Sequence, residues 1–255
     1  MENDMNPKKT NISVIILTKN EETRIETCIK SVSWADEIIV VDNGSTDKTR
    51  EVVRGLGIKV IERHVSDFSS LRNAGRDVAS GEWVLYVDAD EVVSEQLQKE
   101  IMSVTGKQPF AGYEIRRVNY FLGHQWPGDE YILRLMRNDA LVEWYGILHE
   151  SARVKGTIGR LKNSLVHRTH RTLEEMVTKT NVWSGTEAKL RYDSNHPPIV
   201  WWRLVRVMVS AFFDSFIHKG GWRAGTVGWI ESVYQAFSMF ITYAKLWELQ
   251  IKNVK

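Results

Sequence analysis

Cysteine is nearly absent from the 255 residues. Cys28 stands alone, which excludes an internal disulfide and a cysteine-rich zinc site and fits a reducing cytosol. The opening stretch MENDMNPKKTN lacks the apolar core of a secretory leader, so no signal peptide is expected. No run reaches the roughly 20 uninterrupted apolar residues of a clean membrane span. Internal repeats, low-complexity tracts and a nucleophile motif of the G-x-S-x-G kind are also missing. Net charge is small, with 34 Lys/Arg against 32 Asp/Glu. The near-balance is uneven, however. From Pro197 onward there are seven Lys/Arg and three Asp/Glu, which leaves 27 against 29 for the rest. Six of the ten tryptophans lie beyond residue 180. A basic, Trp-rich tail on a slightly acidic body points to a membrane surface rather than to nucleic acid.

What is present is ordinary globular composition, 43% hydrophobic and 26% charged, in a chain long enough for a large core. ISVIIL (12–17), EIIVVD (37–42), IKVIE (58–62) and WVLYVD (83–88) are apolar runs of strand length. Ile25, Cys28, Ile29 and Val32 recur at helical spacing, which makes Cys28 a small core residue. Further helical faces follow NGSTD and lie at Phe68, Leu71, Gly75 and Val78, and Ser94 caps the helix of Leu97 and Ile101. Strands joined by helices predict a parallel sheet. From 110 to 170 the pattern changes to short strands and loops. Thr172 and Glu175 then form a capping box, and Pro197-Pro198 is the clearest boundary.

Ligands of open α/β sheets sit beyond the C-terminal ends of the strands. Here those ends read TKNEE, DNGSTD and DADE. Asp88 and Asp90 share a side of an extended segment, and two converging carboxylates call for a hard divalent cation, Mg²⁺ or Mn²⁺, holding a diphosphate. Strand-end acids can also simply cap the next helix. Four stretches in order, VIILTKNEE, IIVVDNGSTDKT, RNAGRDVASGEW and VLYVDADE, resemble the family 2 glycosyltransferases of GT-A fold over residues 12–170, and the length and tail resemble their lipopolysaccharide-core β-glucosyltransferase branch.

The resemblance implies a Rossmann-like, mostly parallel sheet with flanking helices. It implies that Thr18, Asn20 and Glu21 line the nucleotide pocket and that Asp42 meets the uracil or ribose. Arg72 and Asn73 would lie near the base or diphosphate, Asp88 would face the ribose or donor, and Asp90 the metal. The bland readings are a turn for Asn20, a helix cap for Asp42 and a solvated charge for Arg72. An inverting single displacement needs a base for the incoming hydroxyl. Glu150, in WYGILHES, is that base by resemblance, with Asp129 and Glu130 as rivals. His149 and His167 are candidates to complete the metal shell, and Arg134 is a candidate diphosphate contact.

In the tail, Arg203, Arg206, Ser210 and Asp214 form one narrow polar stripe, and Glu231, Gln235, Ser238, Thr242 and Lys245 a second. The remainder of both helices is apolar or aromatic, which suits helices lying in a membrane interface or packed on protein. The expected organisation is a catalytic domain over 1–170, a connecting helix over 171–196 and a membrane-associating helical pair over 197–255. The expected activity is transfer of a hexose, glucose first among candidates, from a UDP-sugar to a lipid-linked glycan such as lipopolysaccharide core, at the cytoplasmic face of the inner membrane. Self-association is left open. The rivals are a polyprenyl-phosphate glycosyltransferase and a non-catalytic membrane-bound scaffold of the same fold.

Overall fold

The computed structural model describes residues 10–252 except Ser66, Gln108, Asp129, Leu148, His149 and His170. Its described residues form two compact units, one from 1–118 and 129–167, the other from 119–128 and 168–255.

In the first unit, β1 (Ile12–Thr18), β2 (Glu37–Asp42), β3 (Lys59–Glu62) and β4 (Trp83–Asp88) run parallel. α1 (Ile25–Ser31), α2 (Thr49–Gly55) and α3 (Phe68–Arg76) connect them. Every residue of β1 is buried, because helices or loops cover both sheet faces. Side chains alternate: Val14 and Ile16 join Ile25, Cys28 and Leu97 on one face, while Ile15 and Leu17 join Leu71, Tyr86 and Trp144 on the other. α3 starts at Asp67, whose carboxylate accepts from the Ser70 N–H at 2.7 Å. It then lies directly on β1. A Cβ on Gly75 would come 2.4 Å from Ile15 Cγ2, so this glycine sets how closely helix and sheet approach.

Beyond β4 the sheet changes direction. β5 (Glu91–Val93), β6 (Gly112–Phe121), β8 (Glu130–Arg137) and β11 (Ile158–Arg168) extend it in the order β3-β2-β1-β4-β8-β6-β11-β5. The pairs β4–β8, β6–β8 and β5–β11 are antiparallel. The parallel core of β1 to β4 is thus continued by antiparallel strands, and β6 and β11 span 10 and 11 residues where short strands were expected. α4 (Glu95–Lys107) begins at Ser94, whose hydroxyl accepts from the Leu97 N–H at 3.2 Å. β9 (Leu141–Tyr145) and β10 (Ser151–Val154) form a separate hairpin.

The second unit contains the β6 end paired with β7 (His124–Gln125) and three helices, α5 (Leu173–Asp193), α6 (Trp201–Phe213) and α7 (Gly225–Lys252). The Thr172 hydroxyl accepts from the Glu175 N–H at 3.1 Å, as the capping box requires. α5 packs along α7: the Tyr234 hydroxyl donates to the Met176 carbonyl at 2.9 Å, and Lys245 Nζ to the Asn181 carbonyl at 2.5 Å. Pro197-Pro198 joins α5 to α6 inside this unit. A π-helical turn (Asp214–His218) ends α6, and Gly220 at φ 78° begins the reversal toward α7. Among the described residues no helix is long and apolar enough to cross a membrane.

Candidate active site

The loops after β1 and β2 brace each other. Asn20 adopts φ 56°, its N–H donates to Ser45 Oγ at 2.9 Å, and its Oδ1 accepts from the Thr46 N–H at 2.7 Å. The Glu21 N–H donates to Thr49 Oγ1 at 2.7 Å, and its carboxylate grips Arg24. Thr18 is buried, and its hydroxyl has no hydrogen-bond partner among the described residues. Asp42 is fully buried, and its Oδ2 accepts from the Gly44 and Ser45 N–H groups at 3.0 and 2.9 Å. Its carboxylate organises the turn, as a cap residue would.

The acids after β4 are each offset by cations. Asp88 Oδ1 accepts from Arg72 at 3.1 Å and Oδ2 from Arg134 at 2.5 Å. Burial raises the Asp88 carboxyl, but Arg134 and then Arg72 outweigh it and hold the group well below the usual carboxylate range. Arg134 is stabilised in turn: burial lowers it, and Asp88, Glu91 and Glu150 more than compensate. Glu91 is fully buried; it accepts from the Asp88 N–H at 2.9 Å and from Arg117 at 3.4 Å. Asp90 Oδ2 lies 3.3 Å from His167 Nε2 and 4.0 Å from Arg24. The β5–β11 pairing, with Glu91 opposite His167, brings that histidine in. Cys28, behind the loop, is inert: burial and then the neighbouring acids push its thiol up.

Arg72 ties this cluster to Glu150. It is 2% exposed, and Nε and Nη2 donate to Glu150 Oε1 at 3.0 and 2.8 Å. Its guanidinium lies over the Trp144 ring at 4.9 Å. Asn73 fixes Trp144 by a reciprocal pair, donating to its carbonyl and accepting from its N–H, both at 2.9 Å. The Asn73 amide therefore braces β9. Arg72 Nη1 and Arg134 Nε are buried without a hydrogen-bond partner among the described residues.

Asp88, Asp90, Arg72, Arg134, Glu150 and His167 thus come together, while Asp42 and Asn73 support the loops around them. Glu130 pairs with Arg117 at 2.8 Å. Asp129 and His149 lie outside the described residues. Arg24, Arg117 and Trp144 were missed by sequence reasoning, although the arginines sit in NEETR and EIRRV beside marked positions. For a cation, no group of three ligating side chains occurs among the described residues. The Asp90–His167 pair fits one whose remaining ligands come from a diphosphate and water.

Residues 13–176 match the family model described as Glycosyl transferase family 2. An uncharacterized glycosyltransferase of Rickettsia bellii is 29% identical over 259 residues, covering 94% of this chain and 87% of the relative. The lipopolysaccharide core biosynthesis glycosyltransferase LpsC of Rhizobium meliloti is 26% identical over 254 residues, covering 94% and 93%. Among solved structures, S. aureus TarS 1-349 in complex with UDP-GlcNAc aligns with a TM-score of 0.51 at 16% identity, covering 95% of this chain and 92% of that one, a likeness of fold.

Proposed function

Since the chain belongs to the family 2 glycosyltransferases, we propose that it moves a hexose from a UDP-sugar to a hydroxyl of a lipid-linked glycan, with inversion at the anomeric carbon. The observation that carries this reading is the single guanidinium of Arg72 joining Asp88, at the end of β4, to Glu150. It connects the strand end where a donor is expected with a carboxylate able to serve an acceptor. The UDP-GlcNAc held by a protein of like fold supports the donor class. The role of the Rhizobium relative in lipopolysaccharide core synthesis supports the acceptor class.

The acceptor oxygen attacks the anomeric carbon, the bond to the diphosphate breaks with its electron pair, and the hydroxyl proton passes to Glu150. Arg72 holds Oε1, so Oε2 is the oxygen that receives it. The Arg72 and Arg134 guanidiniums add positive charge for the departing oxygens. Asp90 and His167 would hold Mg²⁺ or Mn²⁺, which when bound supplies further positive charge for the diphosphate.

Glu150→Gln preserves size and loses proton affinity. Turnover of a UDP-sugar with a lipid-linked acceptor should fall about 10²–10⁴-fold, with donor binding by calorimetry nearly unchanged. Lost donor binding would make Glu150 a pocket residue, and unimpaired turnover would remove it as the base.

A further inference from the structure

Around a small buried cluster of Ala188, Val207, Tyr243 and Leu246, the helices of the second unit leave many large apolar residues outside. On α7, Glu231, Ser232 and Thr242 are buried. Glu231 accepts from Gln235 at 2.7 Å, the Ser232 hydroxyl donates to the Gly228 carbonyl at 2.7 Å, and Thr242 donates to the Ser238 carbonyl at 3.0 Å. The polar stripe of this helix faces inward. Its outer side carries Trp229, Val233 and Phe237 at i, i+4 and i+8, each 39–53% exposed. A helix bordering water is arranged the other way round.

α6 is open on most sides, its polar residues Arg206 and Ser210 exposed as well. Only Val207 is buried, while Trp201, Trp202, Val205, Val209 and Phe213 project along one face, Trp201 at 78% exposure. Phe212 and Phe216 meet the Trp229 ring at 5.2 and 5.5 Å, which makes the two outward faces one surface. A patch of this kind marks an interaction site.

Charge selects the occupant. Residues 201–229 contain Arg203, Arg206, Lys219 and Arg223 against Asp214 alone, and Asp214 pairs with Lys219 at 2.8 Å. Arg203 and Arg206 lie over the Trp202 ring at 5.3 and 5.8 Å, and Arg223 over Trp222 at 5.0 Å. A second copy of the surface would set like charges against each other. A bilayer with anionic headgroups satisfies both parts, since indole rings sit at headgroup level and arginines reach phosphates. We propose that the α6–α7 face is a monotopic docking surface for an anionic lipid bilayer. This does not depend on the transfer reaction.

The test uses full-length protein and vesicles of phosphatidylcholine alone or in equal parts with phosphatidylglycerol, with brominated acyl chains in a parallel set. Wild type should float with the anionic vesicles, its tryptophan fluorescence should be quenched by the brominated chains, and salt should release only part of it. Val205→Glu with Val209→Glu, both on the exposed face, should lower partitioning at least about tenfold, with an unchanged thermal melt. Should that pair fail to fold, Arg203→Gln with Arg206→Gln should weaken binding to anionic vesicles and leave binding to phosphatidylcholine as it was. The proposal is overturned if wild type ignores both vesicle types. It is equally overturned if the face proves to hold a second copy, so that the glutamate variant abolishes a dimer and leaves vesicle binding intact.

Discussion

Asp90 and His167 approach to 3.3 Å, and no group of three acids, imidazoles or thiols placed to hold a metal occurs among the described residues. Such a pair binds a divalent cation weakly by itself and firmly once diphosphate oxygens complete the shell. Asp90→Asn should therefore abolish the rise in melting temperature that Mn²⁺ and UDP produce together, and lower turnover about 10²-fold or more, while the melt without ligands stays near wild type. Retained metal-dependent turnover would move the metal elsewhere. Which acids meet a ligand was only partly legible. Asp88, Asp90 and Glu150 stand in recognisable stretches and converge. Asp42 stands in an equally recognisable one, and there the Gly44 and Ser45 N–H groups bond its carboxylate within the turn. Asp followed by Asn-Gly-Ser is itself a turn signal. Asn73 was drawn from its motif in the same way, though its partner Trp144 lies 71 residues along the chain, a distance no local pattern encodes.

Element by element, legibility followed burial. β1, β2 and β4 were readable because strands covered on both faces are nearly continuous apolar runs, and the more exposed edge strand β3 from its short IKVIE run. β6, β8 and β11 mix polar and apolar residues, and their neighbours in the sheet are remote in sequence, so their length and direction were not readable. On α7 the spacing of the polar stripe was plain, but its orientation was not. Its neighbours decide it: α5 through the Tyr234–Met176 and Lys245–Asn181 bonds, and the end of α6 through Ser215, which accepts from Ser232 at 3.1 Å. The start of α7 is also set by contact: a Cβ on Gly228 would fall 1.7 Å from the Gly221 carbonyl oxygen, against backbone that cannot swing aside. Gly228→Ala should destabilise the second unit by about 1–3 kcal/mol, in spite of alanine's better helix propensity. A chemical melt followed by tryptophan fluorescence would check it, and a neutral or stabilising result would mean the two segments separate readily.

Acid sensitivity belongs to the first unit as a whole, because one ion network joins β4, α3, β8 and the segment before β10. Asp88 is depressed in the folded state. The stability it contributes is fully present above the unfolded aspartate value of about 4 and is lost as pH falls toward the folded value. Asp88→Asn should lower the melting temperature at neutral pH, since Arg72 and Arg134 lose their shared partner. The gap to wild type should narrow as pH drops below about 4. A gap that is constant with pH would deny Asp88 this linkage. The pairing of Glu91 with His167 has a further consequence, for the order of folding. It closes a 76-residue loop, from 91 to 167, so it is among the least local contacts of the first unit. Contacts of that span form late because their closure entropy comes first. A ribosome-bound chain can assemble β1 to β4 before His167, one of the two residues proposed to hold the cation, has reached Asp90.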